Sequence, residues 1–345
     1  MPADPAAAAV PRAGVGAALP RRAAALVAIA AALAPRAARA QEFPSRPVRI
    51  VVPFPPGGAA DLTARLLAER MAPLLGQPMP VENRPGAGGN IAAEVVARSE
   101  PDGHTLFLGG ATILCANRYL YRGIPFDPLR DFAHVSRVSV GTTLLVVNAG
   151  RPWRSFGELV EAARRAPGRI TSASSGQGTI SHLTISKLMR AAGIEINHVP
   201  YRGLAPGLND LLAGTVDMIF DGMPALMPHV REGRLRPLAV GSARRVDYVP
   251  GLEEVPSMGE LLPGSDMDME FWYCLSAPAG TPPAALRRLH EATVRVVRSA
   301  DYGERLRPLG FMAISDESPA AFAAFVEAQQ PVWRDLVEAS GARLE

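Results

Sequence analysis

The sequence predicts an α/β fold in two lobes, on three observations. Apolar strands alternate with helical patterns along most of the chain, the mark of an α/β architecture. Once an N-terminal leader is set aside, about 300 residues remain, more than one comfortable hydrophobic core. Two glycine-rich turns, Pro55-Pro56-Gly57-Gly58 and Ser174-Ser175-Gly176-Gln177-Gly178-Thr179, each follow a strand and open a helix. They stand far apart in sequence, so each lobe is expected to carry one. Such a turn presents backbone N–H groups at the positive end of a helix dipole, which suits an anion.

The leader comes first. Arg21 and Arg22 precede the apolar run Ala23–Ala34, which ends near the small-residue site Ala38-Arg39-Ala40. That order of n-region, h-region and A-x-A site makes residues 1–40 an export signal, and the mature protein is expected in a bacterial periplasm. Twelve apolar residues fall short of the roughly 20 that span a bilayer. The paired arginines leave a twin-arginine route open beside the ordinary secretory one. Residues 1–40 hold five arginines and one aspartate, a net +4 against +3 for the whole chain, so the remainder is near −1. Neither a basic stripe with interleaved aromatics nor a lysine run appears, and no nucleic-acid partner is expected.

Val48–Phe54 is nearly continuous in apolar residues, as in a parallel strand covered on both faces. Asp61 is placed to cap the next helix, where Leu62, Leu66, Leu67, Met71 and Leu74 recur at helical spacing. A short strand at Pro80–Glu82 leads through Gly86-Ala87-Gly88-Gly89 to a helix over Ile91–Arg98. Ile91 stands where a dinucleotide fingerprint needs its third glycine, so that loop is structural and no nucleotide is expected. Strands follow at Thr105–Leu108 and Leu144–Val147, then a capping box in which Ser155 and Glu158 open a helix that stops before Pro167-Gly168. Further strands are expected at Arg169–Ala173, Asn197–Pro200, Met218–Phe220, Leu238–Val240 and Phe271–Ala277. Thr281-Pro282 and Ser318-Pro319 each offer an N-cap with proline at the first helical position. Cys115 and Cys274 allow either a disulfide or two buried free thiols.

A family resemblance then becomes specific. The run Phe43-Pro44-Ser45-Arg46-Pro47-Val48-Arg49-Ile50-Val51-Val52-Pro53-Phe54-Pro55-Pro56-Gly57-Gly58 resembles the mature start of Bug-type (TctC-like) solute-binding proteins, the extracytoplasmic receptors of tripartite tricarboxylate transporters. Val81-Glu82-Asn83-Arg84-Pro85-Gly86-Ala87-Gly88-Gly89-Asn90, Pro101-Asp102-Gly103, the 174–179 turn with His182, and His198-Val199-Pro200-Tyr201-Arg202-Gly203 continue it. Trp272 and Ala277-Pro278-Ala279-Gly280-Thr281-Pro282 extend it, so residues 43–345 are covered. The resemblance implies a type II periplasmic-binding-protein (Venus-flytrap) fold with a ligand cleft between its lobes. It implies lobe 1 from residues 41–143 plus 268–345 and lobe 2 from 144–267, with chain crossings near Gly141–Leu144 and Met269–Trp272. It also implies a small carboxylate as ligand, held by both turns, membrane permease subunits as partners, and a monomer.

Each candidate site residue has a structural reading beside the functional one. Phe54, Gly57 and Gly58 form either a tight turn or a ligand seat, and the resemblance favours the seat. Ser174, Ser175, Gly176, Gly178 and Thr179 are five small or polar residues around a helix start, where hydroxyls cap or bind. His182, one turn into that helix, and Tyr201, at a strand end, face either cleft or core. Thr112 follows the strand end Leu108-Gly109-Gly110, where open α/β sheets gather ligands. Asp221 ends the strand Met218-Ile219-Phe220 and is either a helix cap or a specificity residue favouring an amine or hydroxyl beside the ligand carboxylate.

Catalysis is not expected. The six histidines are scattered, with no H-E-x-x-H pair and no zinc-site cysteines, and neither Ser174 nor Ser175 sits in a G-x-S-x-G elbow. No metal and no organic cofactor is implied. A serine-type hydrolase using Ser174 or Ser175 with His182 lacks an evident orienting acid. A periplasmic sensor acting on a histidine kinase remains the alternative to transport, since both would use the outer faces of the same closed lobes.

Overall fold

The structure, a computed structural model, describes residues 43–344; the leader assigned to residues 1–40 lies outside them. Two sheets organise the chain. The first has six strands in the order β11-β4-β10-β3-β1-β2, where β1 is Arg49–Val52, β2 Val81–Asn83, β3 Thr105–Gly110, β4 Phe132–Gly141, β10 Phe271–Pro278 and β11 Phe311–Ala313. The second runs β7-β6-β8-β5-β9, with β5 Thr143–Asn148, β6 Thr171–Ser174, β7 Asn197–Pro200, β8 Met218–Gly222 and β9 Leu235–Val240. β1 is parallel to β2 and β3, and β6 is parallel to β7 and β8. β10 runs antiparallel between β3 and β4, as β5 does between β8 and β9. The α/β architecture expected from the alternation of strands and helices is present.

The chain changes sheets twice. Only Thr142 separates β4 of the first sheet from β5 of the second, and the return runs from β9 to β10 past the short helix Met258–Leu261. Met269 N donates to Gly241 O (2.6 Å) on that return. Helix α1 (Ala59–Leu75) covers β1 and β2, and α2 (Asn90–Ala97) covers β1 and β3. Over the second sheet α3 (Phe156–Arg165) follows β5, α4 (Ile180–Ala192) lies on β6, β7 and β8, and α5 (Leu204–Ala213) lies on β5, β6 and β8. Of the late helices, α6 (Pro283–Val297) packs on β4 and α1, whereas α7 (Pro319–Ser340) packs on both β4 and α4.

Local chemistry accounts for most of the boundaries. Ser318 caps α7 by accepting from Ala321 N (3.1 Å), with Pro319 at the first helical position. At the other expected proline start the helix begins one residue later, at Pro283, because Thr281 Oγ1 donates to Pro278 O (2.7 Å) in the preceding turn. Ser155 caps α3 through Glu158 N (3.3 Å), but Glu158 Oε2 accepts from Arg154 N (2.7 Å) rather than closing the box on Ser155. Cys115 and Cys274 are buried free thiols. The strand expected at Val48–Phe54 is shorter, at Arg49–Val52, which leaves Phe54 in the turn.

Two strands, β4 and β11, were not evident in the sequence. β4 is the longest in the molecule, yet Phe132-Ala133-His134-Val135-Ser136-Arg137-Val138-Ser139 reads as polar and interrupted. Two of its buried polar side chains have partners far away in sequence: His134 Nδ1 lies 2.9 Å from Ser276 Oγ on β10, and Ser136 Oγ accepts from Asp316 N (2.9 Å). Interior hydrogen bonding makes such residues compatible with a central strand.

Candidate functional site

Strand ends of both sheets converge on one segment of β10. Tyr273 pairs with Gly110 at the end of β3, and a Cβ on Gly222, at the end of β8, would stand 3.3 Å from the Phe271 ring. Tyr273 faces the Asp221 carboxylate, and burial first and that charge second push its hydroxyl pKa up. β10 therefore ties the ligand-gathering edges of the two sheets together.

On the first sheet, Phe54, Gly57 and Gly58 occupy the turn from β1 into α1. Gly57, with φ +84°, takes the left-handed conformation that glycine adopts freely. Gly58 is the N-cap and makes no side-chain cap bond, so Asp61 is not the N-cap as the sequence suggested. Asp61 instead lies in the first helical turn, buried, and reaches back. Its Oδ2 accepts from Gly57 N (2.9 Å) and Arg65 Nε (2.9 Å), and its Oδ1 from Asn83 Nδ2 (2.9 Å). Burial pushes its pKa up, but the bonds from Arg65, Gly57 and Asn83 together outweigh that and hold it below the usual carboxylate range. Gly57 N–H is thus taken, while the amides of Gly58, Ala59 and Ala60 have no acceptor among the described residues. Phe54 is half-buried, and its carbonyl accepts from Asn83 Nδ2 (3.0 Å). Thr112, at the end of neighbouring β3, begins a π-helical turn and is half-buried.

On the second sheet Ser174, Ser175, Gly176, Gly178, Thr179, His182 and Asp221 form one hydrogen-bonded cluster. Ser174 ends β6, fully buried, with Oγ 2.5 Å from His198 Nε2. Ser175 N donates to Ser181 Oγ (3.0 Å), and Ser175 Oγ donates to Asp221 Oδ2 (2.9 Å). Gly176 N reaches Ser174 Oγ (3.3 Å), Gly178 N donates to His182 Nδ1 (3.0 Å), and Thr179 Oγ1 donates to Gly176 O (2.6 Å). Of the amides from Ser175 to Ile180, those of Gln177 and Ile180 have no acceptor among the described residues. Gly178 is buried, and a Cβ there would stand 3.1 Å from Leu120 and Leu344. Its Cα is therefore a packing contact with the first-sheet side.

The imidazoles of His182 and His198 stack at 4.2 Å, nearly parallel. Burial and then the His198 neighbour push the His182 pKa down to about 4, and burial lowers that of His198, so both rings are neutral. Because Gly178 N–H points at His182 Nδ1, the ring carries its proton on Nε2. Tyr201 N donates to Ser174 O (3.0 Å), which brings Tyr201 beside the turn, but its hydroxyl bonds Asp210 Oδ2 (2.5 Å) on α5. That bond, ahead of burial, pushes the Tyr201 hydroxyl up to about 12. Asp221 is buried, with Oδ1 accepting from Gly222 N (2.7 Å).

Four further residues shape the site. Asn83 and Ser181 clamp the two turns, His198 partners Ser174, and Tyr273 spans the sheets. The aromatic triplet Phe271-Trp272-Tyr273 in an expected strand was the available signal for Tyr273. Ser181 carries no signal beyond being a polar residue in a first helical turn.

Among the described residues no cluster of histidine, cysteine and carboxylates has metal-binding geometry, and no helix is long and apolar enough to cross a membrane. The family model for the tripartite tricarboxylate transporter family receptor matches residues 63–342. An R. palustris protein solved with adipate superimposes with TM-score 0.80 at 35% identity, over 88% of this chain and 100% of that one. MatC from Rhodopseudomonas palustris, with bound malate, gives TM-score 0.75 at 31% identity, over 86% and 100%. The periplasmic binding protein BugD gives TM-score 0.77 at 32% identity, over 88% and 100%. The two sheets and their crossings are the two-lobed periplasmic-binding-protein fold.

Proposed function

Because the chain belongs to the tripartite tricarboxylate transporter receptor family, we propose that it is an exported, non-enzymatic receptor that closes two lobes on a small carboxylate and delivers it to a membrane permease. In this reading residues 41–143 with 268–345 form one lobe, 144–267 form the other, and residues 1–40 are the export signal. The carrying observation is the convergence of both sheets' strand ends, each with a helix-opening turn, on Phe271–Tyr273. Open amides at Gly58, Ala59 and Ala60 give one lobe donors for a carboxylate, and the Ser175 and Thr179 region gives the other lobe polar contacts. A ligand touching both lobes favours the closed state, because only that state offers both sets of contacts. Adipate and malate in similar proteins set the size and chemistry expected of the ligand.

A hydrolase is a poor fit. Ser174 is fully buried, and no carboxylate accepts from His198 among the described residues, so the Ser174–His198 pair lacks both access and an orienting acid. Thermal shift of protein refolded to strip carried ligand, against di- and tricarboxylates, amino acids, aromatic acids and their amides, tests the proposal. Ligand at 100 times its Kd stabilises by about 2.7 kcal/mol. A response confined to carboxylates is expected; a response to none of them overturns the carboxylate assignment.

A further inference from the structure

A hydroxyl carries one proton, and its direction decides whether it greets a ligand as donor or acceptor. In the second turn that direction is set from behind. Ser175 Oγ lies 2.9 Å from Asp221 Oδ2 and 2.9 Å from Ser181 Oγ. Ser181 Oγ in turn accepts from Ser175 N (3.0 Å) and lies 3.0 Å from Thr179 Oγ1, whose own proton goes to Gly176 O (2.6 Å). An ionised carboxylate only accepts. With Asp221 ionised, the Ser175 proton points inward to Oδ2 and the hydroxyl shows its lone pairs to the cleft. That arrangement repels a ligand carboxylate.

A proton on Asp221 reverses the polarity. Oδ1 is held by Gly222 N (2.7 Å), so Oδ2 is the oxygen free to take the proton. The carboxyl O–H then donates to Ser175 Oγ, and the Ser175 proton swings outward to a ligand oxygen. No arginine or lysine of the described residues pairs with Asp221. Tyr273 faces it from β10, Ser175 and Ser181 from the turn and α4, and Gly222 from its own strand. His182 and His198, behind the same turn, are neutral and supply no charge. Burial pushes the Asp221 carboxyl up, against a smaller opposing effect of the bonds from Gly222, Ser175 and Ser181.

We propose that Asp221 is a positioning residue whose protonation turns the Ser175 hydroxyl toward the ligand, so that capture of a carboxylate takes up one proton from solvent. The proposal deepens the carboxylate-receptor reading and rests on it. It also sets a preference: with Asp221 ionised, Ser175 suits a ligand end bearing an N–H or O–H donor, and with Asp221 protonated it suits a carboxylate oxygen.

Calorimetric titration of the protein with adipate and with malate, in buffers of different ionisation enthalpy between pH 6 and 8, counts protons directly. Wild type is expected to take up close to one proton per ligand at the upper end, with affinity falling about tenfold per pH unit there. Asp221→Asn fixes a neutral partner that donates to Ser175 Oγ, and its binding is expected to lose both proton uptake and pH dependence. Ser175→Ala is expected to lose proton uptake as well, and serves if Asp221→Asn does not fold. Binding to wild type without proton exchange overturns the proposal and leaves the receptor reading standing. If neither probe binds, the same titration is run with any carboxylate that responds in thermal shift, and a response to no carboxylate overturns both.

Discussion

The two glycine turns look alike in sequence and differ in how they are satisfied. The turn at 54–58 is largely exposed and held at two points, by the clasp of the Asp61 carboxylate on Gly57 N and by Asn83 Nδ2 on Phe54 O, with the following amides left open. The turn at 174–179 is half-buried, and its Gly176, Ser175 and Gly178 amides donate to Ser174 Oγ, Ser181 Oγ and His182 Nδ1. One lobe therefore offers three consecutive open amides to an anion. The other keeps only the separated amides of Gln177 and Ile180 open and adds side-chain hydroxyls, among them Ser175 on Asp221. A helix N-terminus is a ready anion site only where its amides are still free.

The clasp should be the costliest point to break. Asp61→Ala removes the acceptor of three bonds, one from a backbone amide, and hydrogen bonds to charged groups are worth about 1.5–3 kcal/mol each. A loss of about 3 kcal/mol in denaturant unfolding is expected. Asp61 has a folded pKa below its unfolded value, so its contribution is present above the unfolded pKa and is lost as pH falls through the folded one. Asp61→Ala should accordingly show a flatter acid limb than wild type.

The second turn should show its own acid sensitivity through His182. A buried imidazole depressed from 6.5 to about 4 stabilises the fold fully above pH 6.5, and that contribution is lost as pH falls toward 4. At 1.36 kcal/mol per pKa unit the effect amounts to about 3 kcal/mol. His134, also depressed to about 4 by burial, acts with the same sign. The informative quantity is therefore the difference between wild type and His182→Asn, whose amide oxygen can still accept from Gly178 N. An unchanged slope in that variant would mean that His182 does not set the acid sensitivity of the turn.

Backbone substitutions give the smaller, sharper contrast. Gly176, at φ +134° with a Cβ position 3.2 Å from Tyr201 O, should resist alanine at a cost of about 2 kcal/mol. Gly57, at φ +84° with nothing within 4 Å, should cost about 1 kcal/mol. Gly58→Ala, at φ −78° with only an ordinary contact to Pro55 O at 3.7 Å, should be near neutral for stability. Thermal midpoints of the three variants rank them, and an equal cost at Gly176 and Gly58 would mean that the turns do not differ as described.

Much of this was legible in the sequence, for physical reasons that can be located. The strand at Met218–Phe220 and the helix behind Ser318-Pro319 carry strong local signals, an apolar run and a cap, and both are present. β4 was illegible because His134 and Ser136 are polar residues whose partners, Ser276 and Asp316, lie far away in sequence. The turns themselves were visible, but the occupancy of their amides was not. Asp61 reads equally as an N-cap or a reach-back clasp, and Ser181 reads as an ordinary helical serine. Asp221 was recognisable as a strand-end carboxylate, whereas its burial against Ser175 and Tyr273 depends on the meeting of two sheets.

Capture of one carboxylate by both lobes, the first through open amides, turns on Ala59. It is the first helical residue, and Gly58 before it is extended at φ −78° and ψ 171°, so proline fits there without strain and removes only the N–H. Calorimetry of wild type and Ala59→Pro with adipate and malate is the direct measurement, with the ligand-free thermal midpoints as control. One-site binding to wild type, weakened about tenfold or more in Ala59→Pro at an unchanged midpoint, is the predicted result. Equal affinity in the two proteins would contradict it.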